Sequence, residues 1–134
     1  MSGLVLKLGP KERVLINGAV IENGERRSRL SIMTPDAHIL RLRDAIRPEE
    51  ATTPVRRVCY ALQLILSGDS DPEQAHHQLL RRIEELSQIL RDHDSRTLLG
   101  HATEALVSND HYKCLKALRA LLPREERLLV HRAS

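Results

Sequence analysis

Arg13-Val14-Leu15-Ile16-Asn17-Gly18-Ala19-Val20-Ile21-Glu22-Asn23-Gly24 is the stretch on which the fold reading turns. Each Asn-Gly pair supplies two consecutive residues that tolerate positive φ, as a type I′ turn demands, and each follows a short apolar run. Two such pairs in twelve residues predict two successive tight hairpins, with about four residues in the strand between them.

Toward the N-terminus, Leu4, Leu6 and Leu8 alternate with Val5 and Lys7 until Gly9-Pro10 breaks the run. Toward the C-terminus, Leu30 and Ile32 share a face with Ser28, while Arg27, Arg29 and Ser31 take the other. After the Thr34-Pro35-Asp36 turn, Leu40 and Leu42 share a face and leave Ile39, Arg41 and Arg43 opposite. If these last two strands pair, Arg27, Arg29, Arg41 and Arg43 form a strip on the face away from the core. Such a strip is either an ordinary polar outer face or, with no carboxylate among its four cations, a binding face for a polyanion.

Beyond Arg47-Pro48-Glu49-Glu50, a linker or helical turn, the period changes. Thr53 is an N-cap with Pro54 at the first helical position, and Val55, Val58, Leu62, Ile65 and Leu66 follow at helical spacing until Ser67-Gly68. Asp71-Pro72 opens a second helix with the stripe Ala75, Leu79, Ile83, Leu86 and Leu90. Asp94 or Ser95 caps a third, with Leu98, Ala102 and Leu106 inward. Asn109-Asp110 caps a fourth, running through Tyr112, Leu115, Leu118 and Leu122 to Pro123, and a charged turn, Arg124 to Arg127, precedes Leu128-Leu129-Val130. The expected fold is α+β, an antiparallel β-meander of short strands (1–50) packed with a bundle of about four helices (51–134), as one unit or two small lobes.

Composition narrows the function. The chain has 134 residues, 23 leucines, no Trp, no Phe and two tyrosines, so no platform of several aromatics for stacking bases can form. The longest apolar run, Val58 to Leu62, is far short of a membrane span, and the N-terminus lacks the pattern of a signal peptide, so a cytoplasmic protein with no membrane partner is expected. Net charge is +3, but residues 1–57 hold 11 basic and 7 acidic side chains, against 10 and 11 in the remainder. Seventeen of the 21 cations are Arg, the residue suited to forked contacts with phosphate or carboxylate.

Catalytic and metal-binding patterns give little. His76 and His77 are adjacent on a helix and point about 100° apart, and neither His-x-x-x-His nor Cys-x-x-Cys occurs, so no metal is expected. Cys59 and Cys114 fall on apolar helix faces, where a free cysteine behaves as a small hydrophobe. No nucleophile elbow, phosphate loop or dinucleotide fingerprint is present, and Glu84-Glu85 and Glu125-Glu126 lie among arginines as solvated pairs would. No enzyme and no cofactor is expected.

What remains are the arginine clusters Arg26-Arg27-Ser28-Arg29, Arg41-Leu42-Arg43 and Arg56-Arg57. The last pair faces the positive end of a helix dipole, where an acidic residue would be favoured by about 0.3–1 kcal/mol. It either pairs with Glu49-Glu50 or helps hold an anion beside free N–H groups.

Asn17-Gly18-Ala19-Val20-Ile21-Glu22-Asn23-Gly24 with Arg26-Arg27, then Thr52-Thr53-Pro54-Val55-Arg56-Arg57, then Tyr112-Lys113-Cys114-Leu115-Lys116-Ala117-Leu118, closely resembles the FlbT family of bacterial flagellin-synthesis regulators over nearly the whole chain. The resemblance implies a post-transcriptional repressor that associates with the 5′ untranslated leader of flagellin mRNA and promotes its decay. The family usually places Tyr-Phe where this chain has Cys59-Tyr60, which argues against base stacking there and for a core position. The expected RNA face is Arg27, Arg29, Arg41 and Arg43 with Arg26, and with Arg56 and Arg57 at its edge. The alternative is a helical protein-interaction module or chaperone-like adaptor, whose partner would be flagellin, a small flagellar regulatory protein or a second copy.

Overall fold

The computed structural model describes residues 4–17, 19–35, 37–41 and 45–133, with side-chain surroundings as far as residue 130. The architecture is α+β, strands first and helices after, and the chain divides into two compact units, Met1–Ala45 and Ile46–Ser134.

The first unit holds β1 (Leu4–Leu8), β2 (Arg13–Ile16), β3 (Ala19–Glu22), β4 (Ser28–Ile32) and β5 (Ile39–Arg41). The first Asn-Gly hairpin forms as expected: Ile16 opposes Ala19 across a two-residue loop, and Asn17 takes φ 48°. The strands do not run on as a sequential meander. β1 pairs antiparallel with β4, and the other sheet has the order β3-β2-β5. Among the described residues the two arginine-bearing strands, β4 and β5, therefore do not pair as expected. Arg43, Leu42, Gly18 and Asp36 lie outside the described residues.

The second Asn-Gly pair makes no hairpin because its asparagine is engaged elsewhere. Asn23 Nδ2 donates to the Gly9 carbonyl at 2.7 Å and the Arg26 carbonyl at 2.9 Å, and its Oδ1 accepts from Ser28 Oγ at 2.6 Å. One amide thus ties the turn after β1 to the approach to β4 and fixes a pairing between strands distant in sequence. Leu6, Leu8 and Val14 form the small core that results, with Ile16, Leu30, Ile32 and Ile39 packed against it. Asn23→Ala removes these side-chain hydrogen bonds together with a longer one from Nδ2 to the Leu8 carbonyl at 3.4 Å. A loss of about 1–3 kcal/mol in urea unfolding is expected, with polar groups of both turns stripped of their partner.

The second unit opens with a 3₁₀ turn (Pro48–Glu50), followed by α1 (Pro54–Leu66), α2 (Pro72–Ile89), α3 (His93–Val107), α4 (His111–Arg119) and α5 (Leu122–Ala133). α1 packs on α2 and α4, and α3 packs on α2 and α4. The core is aliphatic, as the composition requires: Val55, Val58, Leu62, Leu79, Leu86, Leu106, Leu115 and Leu118 are all buried. Thr53, Asp71 and Asp110 cap their helices as expected. α3 is capped two or three residues earlier than expected, by Asp92, whose carboxylate accepts the Ser95 N–H at 3.0 Å.

The C-terminal segment is also corrected. α4 ends at Arg119, and Pro123 lies in the first turn of α5 rather than stopping its predecessor. A first-turn proline has no intrahelical acceptor to forfeit, so the same residue that cannot continue one helix can begin another. Among the described residues no helix is long and apolar enough to cross a membrane.

Candidate nucleic-acid interface

The seven arginines singled out in the sequence fare differently. Arg26, Arg27 and Arg29 belong to the first unit, are exposed, and have no carboxylate within ion-pair distance among the described residues. Arg27 and Arg29 line one open cavity of about 470 Å³ together with Lys7, Leu8, Gly9, Pro10, Glu12 and Ser28. The β1–β4 register places Lys7 directly opposite Arg29 on the outer side, while Leu6 opposes Leu30 on the inner. Two like charges at facing positions of adjacent strands disfavour the pairing by about 0.2–1 kcal/mol. A sheet that retains them at the rim of a concavity has built a cation cluster.

Arg41 plays a different part. Its guanidinium pairs with Glu12 Oε2 at 2.7 Å and donates to the Lys7 carbonyl at 2.6 Å, and both side chains are largely buried. Glu12 Oε1 accepts the Gly9 N–H at 2.9 Å. The expectation that Arg41 projects freely is thus corrected: it braces the wall of the cavity from beneath Lys7. Glu12, which lines the cavity, is paired with Arg41, whereas Lys7, Arg27 and Arg29 have no carboxylate within ion-pair distance among the described residues. Arg13 is likewise engaged, by Glu22 at 2.9 Å, and this hydrogen bond together with the Arg13 charge holds the Glu22 carboxyl below the usual carboxylate range. Arg41→Ala should lower stability by about 1–3 kcal/mol, read as a fall in the thermal midpoint, because the brace is shielded from solvent.

Lys7 is the residue that sequence reasoning missed. Its alternation with Leu6 and Leu8 marked it as outward-facing, but nothing local in the sequence shows that Arg29 stands opposite.

Arg56 and Arg57 lie in the first turn of α1, in the second unit. Neither pairs with Glu49 or Glu50, which are held instead by Arg47 at 3.6 and 3.4 Å. The proposed anion at this helix start exists, but the chain supplies it. Glu125 of α5, 8% exposed, accepts the Val55 N–H at 2.9 Å and the Thr53 hydroxyl proton. Thr53 Oγ1 in turn accepts the Arg56 N–H at 3.3 Å. A carboxylate at a helix N-terminus satisfies orphan donors and complements the dipole, so the slot is closed by an internal cap. Glu125, read from the sequence as solvated surface, is in fact buried.

Cys59 and Cys114 are buried, and burial pushes both thiols up to about 12, as expected for core fillers. Both tyrosines lie half-buried on helices, Tyr60 in α1 and Tyr112 in α4, which leaves the strand unit without an aromatic ring of that kind. Among the described residues no group of three or more His, Cys, Asp or Glu side chains is arranged to hold a metal ion.

The family model described as "Flagellar protein FlbT" matches residues 4–129. The "Probable flagellum biosynthesis repressor protein FlbT" of Caulobacter sp. (strain K31) is 31% identical over 128 residues, covering 96% of this chain and 97% of that protein. Its counterpart from Rhodopseudomonas palustris (strain TIE-1) is 34% identical over 127 residues, covering 94% and 97%. The "Flagellum biosynthesis repressor protein FlbT" of Caulobacter vibrioides (strain ATCC 19089 / CIP 103742 / CB 15) is 28% identical over 135 residues, covering 98% and 92%. No solved structure matches.

Proposed function

From the premise that this chain belongs to the FlbT family, we propose that it represses flagellum biosynthesis after transcription, by associating with the 5′ untranslated leader of flagellin mRNA and promoting its degradation. The observation that carries the reading is the cation cluster. Lys7, Arg27 and Arg29 line one cavity whose one lining carboxylate, Glu12, is paired with Arg41, and Arg26 precedes Arg27 in the chain; among the described residues none of the four cations has a carboxylate in ion-pair range. Such a surface holds phosphates and specifies little by itself, since the strand unit has no Phe, Tyr or Trp on which to stack a base. Recognition then rests on the shape into which the leader folds, with guanidinium groups positioned on its backbone. The protein acts as a regulator: it promotes decay by remodelling the leader or by recruiting a nuclease.

Salt tests this. Four phosphates neutralised on single-stranded RNA give log K against log salt a slope near −3, whereas engagement of Arg56 and Arg57 as well would bring it nearer −4. Mobility-shift titrations of a flagellin leader between low and moderate salt should give the shallower of these values. Affinity that hardly changes with salt would remove the phosphate mechanism.

A second reading has its own observation. Leu128, Leu129 and Val130 of α5 are exposed at 44, 43 and 64%, which suits a helical adaptor binding flagellin or a small flagellar regulatory protein. Such a contact buries apolar surface, so binding to purified flagellin would hardly change with salt and the leader RNA would give no shift.

A further inference from the structure

We propose that β3 is a self-association edge, pairing antiparallel with β3 of a second copy about a two-fold axis through Ile21. The inference does not rest on RNA binding. Among the described residues β3 is hydrogen-bonded to β2 on one side only, and all four of its residues are exposed, Val20 at 52% and Ile21 at 37%.

The register says which backbone groups are free. The Asn17 N–H donates to the His38 carbonyl at 2.8 Å, continuing the β2–β5 ladder, so residues 15 and 17 address β5 while 14 and 16 address β3. Their partners Ile21 and Ala19 therefore turn their N–H and C=O groups toward β2. The Asn23 N–H, donating to the Glu12 carbonyl at 2.8 Å, keeps the same alternation. Val20 and Glu22 are left with N–H and C=O pointing outward.

Two outward residues separated by one inward residue are self-complementary. In a two-fold antiparallel pair, Val20 exchanges both hydrogen bonds with the second copy's Glu22, and Glu22 does so with the second copy's Val20. Ile21 then faces its own counterpart at the closely spaced, non-hydrogen-bonded position. Four main-chain hydrogen bonds form, and the isoleucine at the rim of the sheet gains an apolar neighbour. Three protections of an open edge are missing, because Ala19-Val20-Ile21-Glu22 has no proline and no lysine, and its register with β2 runs without a bulge; its short length and the Glu22 charge limit the strength of the pairing. A strand this short buries little area, which makes the dimer one of the weak, transient class.

Cysteine cross-linking of the full chain tests the register, since Cys59 and Cys114 are buried. Ile21→Cys should yield a covalent dimer under mild oxidation, because facing residues at such a position lie within disulfide reach. Val20→Cys should not, since it faces Glu22 and lies on the other side of the sheet. In sedimentation equilibrium over roughly 10 µM to 1 mM, Val20→Pro should weaken association at least about tenfold, because proline removes an outward N–H and spares the β2 ladder. A chain that stays monomeric throughout and whose Ile21→Cys form never cross-links overturns the proposal. So does equal cross-linking of both cysteine variants, or a dimer unaffected by Val20→Pro in a variant whose circular dichroism matches the parent.

Discussion

Reversing Arg27 and Arg29 together to glutamate should lower affinity for flagellin leader RNA at least about a hundredfold while the thermal midpoint barely moves. The binding loss has two parts. Two phosphate contacts and their released counterions are forfeited, and two negative charges are introduced at the rim of a cavity that must receive a polyanion. The stability side follows from exposure, for neither guanidinium has a described carboxylate partner to lose. Arg29→Glu also replaces a repulsive cross-strand neighbour of Lys7 by an attractive one, which favours the β1–β4 pairing slightly. Arg41→Ala should behave the other way, losing stability first. If Arg27 and Arg29 reversals lower the melting temperature as much as Arg41→Ala does, the division between gripping and bracing arginines is wrong.

The largest stability effect should come from Glu125→Ala. This side chain joins α5 to the start of α1 across 70 or more residues of sequence, and it satisfies a buried N–H that otherwise has no acceptor in the first turn. Removing it forfeits a charge-assisted bond to Val55, releases the Thr53 hydroxyl and strips the dipole of its counter-charge. Together these should cost about 2–4 kcal/mol, or roughly 10–20 °C in the midpoint for a unit of this size. Glu125→Gln keeps one acceptor oxygen for the Val55 N–H and should lose about half as much. Equal effects from both variants would mean that packing volume, rather than the cap, is what Glu125 supplies. Leader affinity measured well below the midpoint should be unchanged in either variant, since the cation cluster lies in the other unit.

The contrast between these residues shows what could be read from the chain before its fold. Asn17-Gly18, Thr53-Pro54, Asp71-Pro72 and Asp110 were legible because the physics of a turn or a cap is complete within a few residues. The aliphatic stripes of α1 and α2 were legible for the same reason, since period alone selects the face. Pairing partners were not. Asn23-Gly24 has the composition of a hairpin turn, yet its side chain is more useful tying β1 to β4 than closing β3 on β4. Lys7 and Arg29 form a cluster only once the register is known, and Arg41 and Glu12 cancel only once β5 is placed beside β2. Glu125 is the clearest case. Its neighbours in sequence are charged, which is the pattern of a solvated face, and only the return of α5 to the α1 terminus buries it.

The account stands on phosphate being gripped by the strand unit. The direct measurement is ultraviolet cross-linking of the full-length protein to flagellin leader RNA, followed by mass spectrometric mapping of the adducts. Adducts should concentrate on peptides carrying Lys7 and Arg26 to Arg29 and should fade as salt rises. Adducts confined to the helices after residue 46, at any salt, would contradict it.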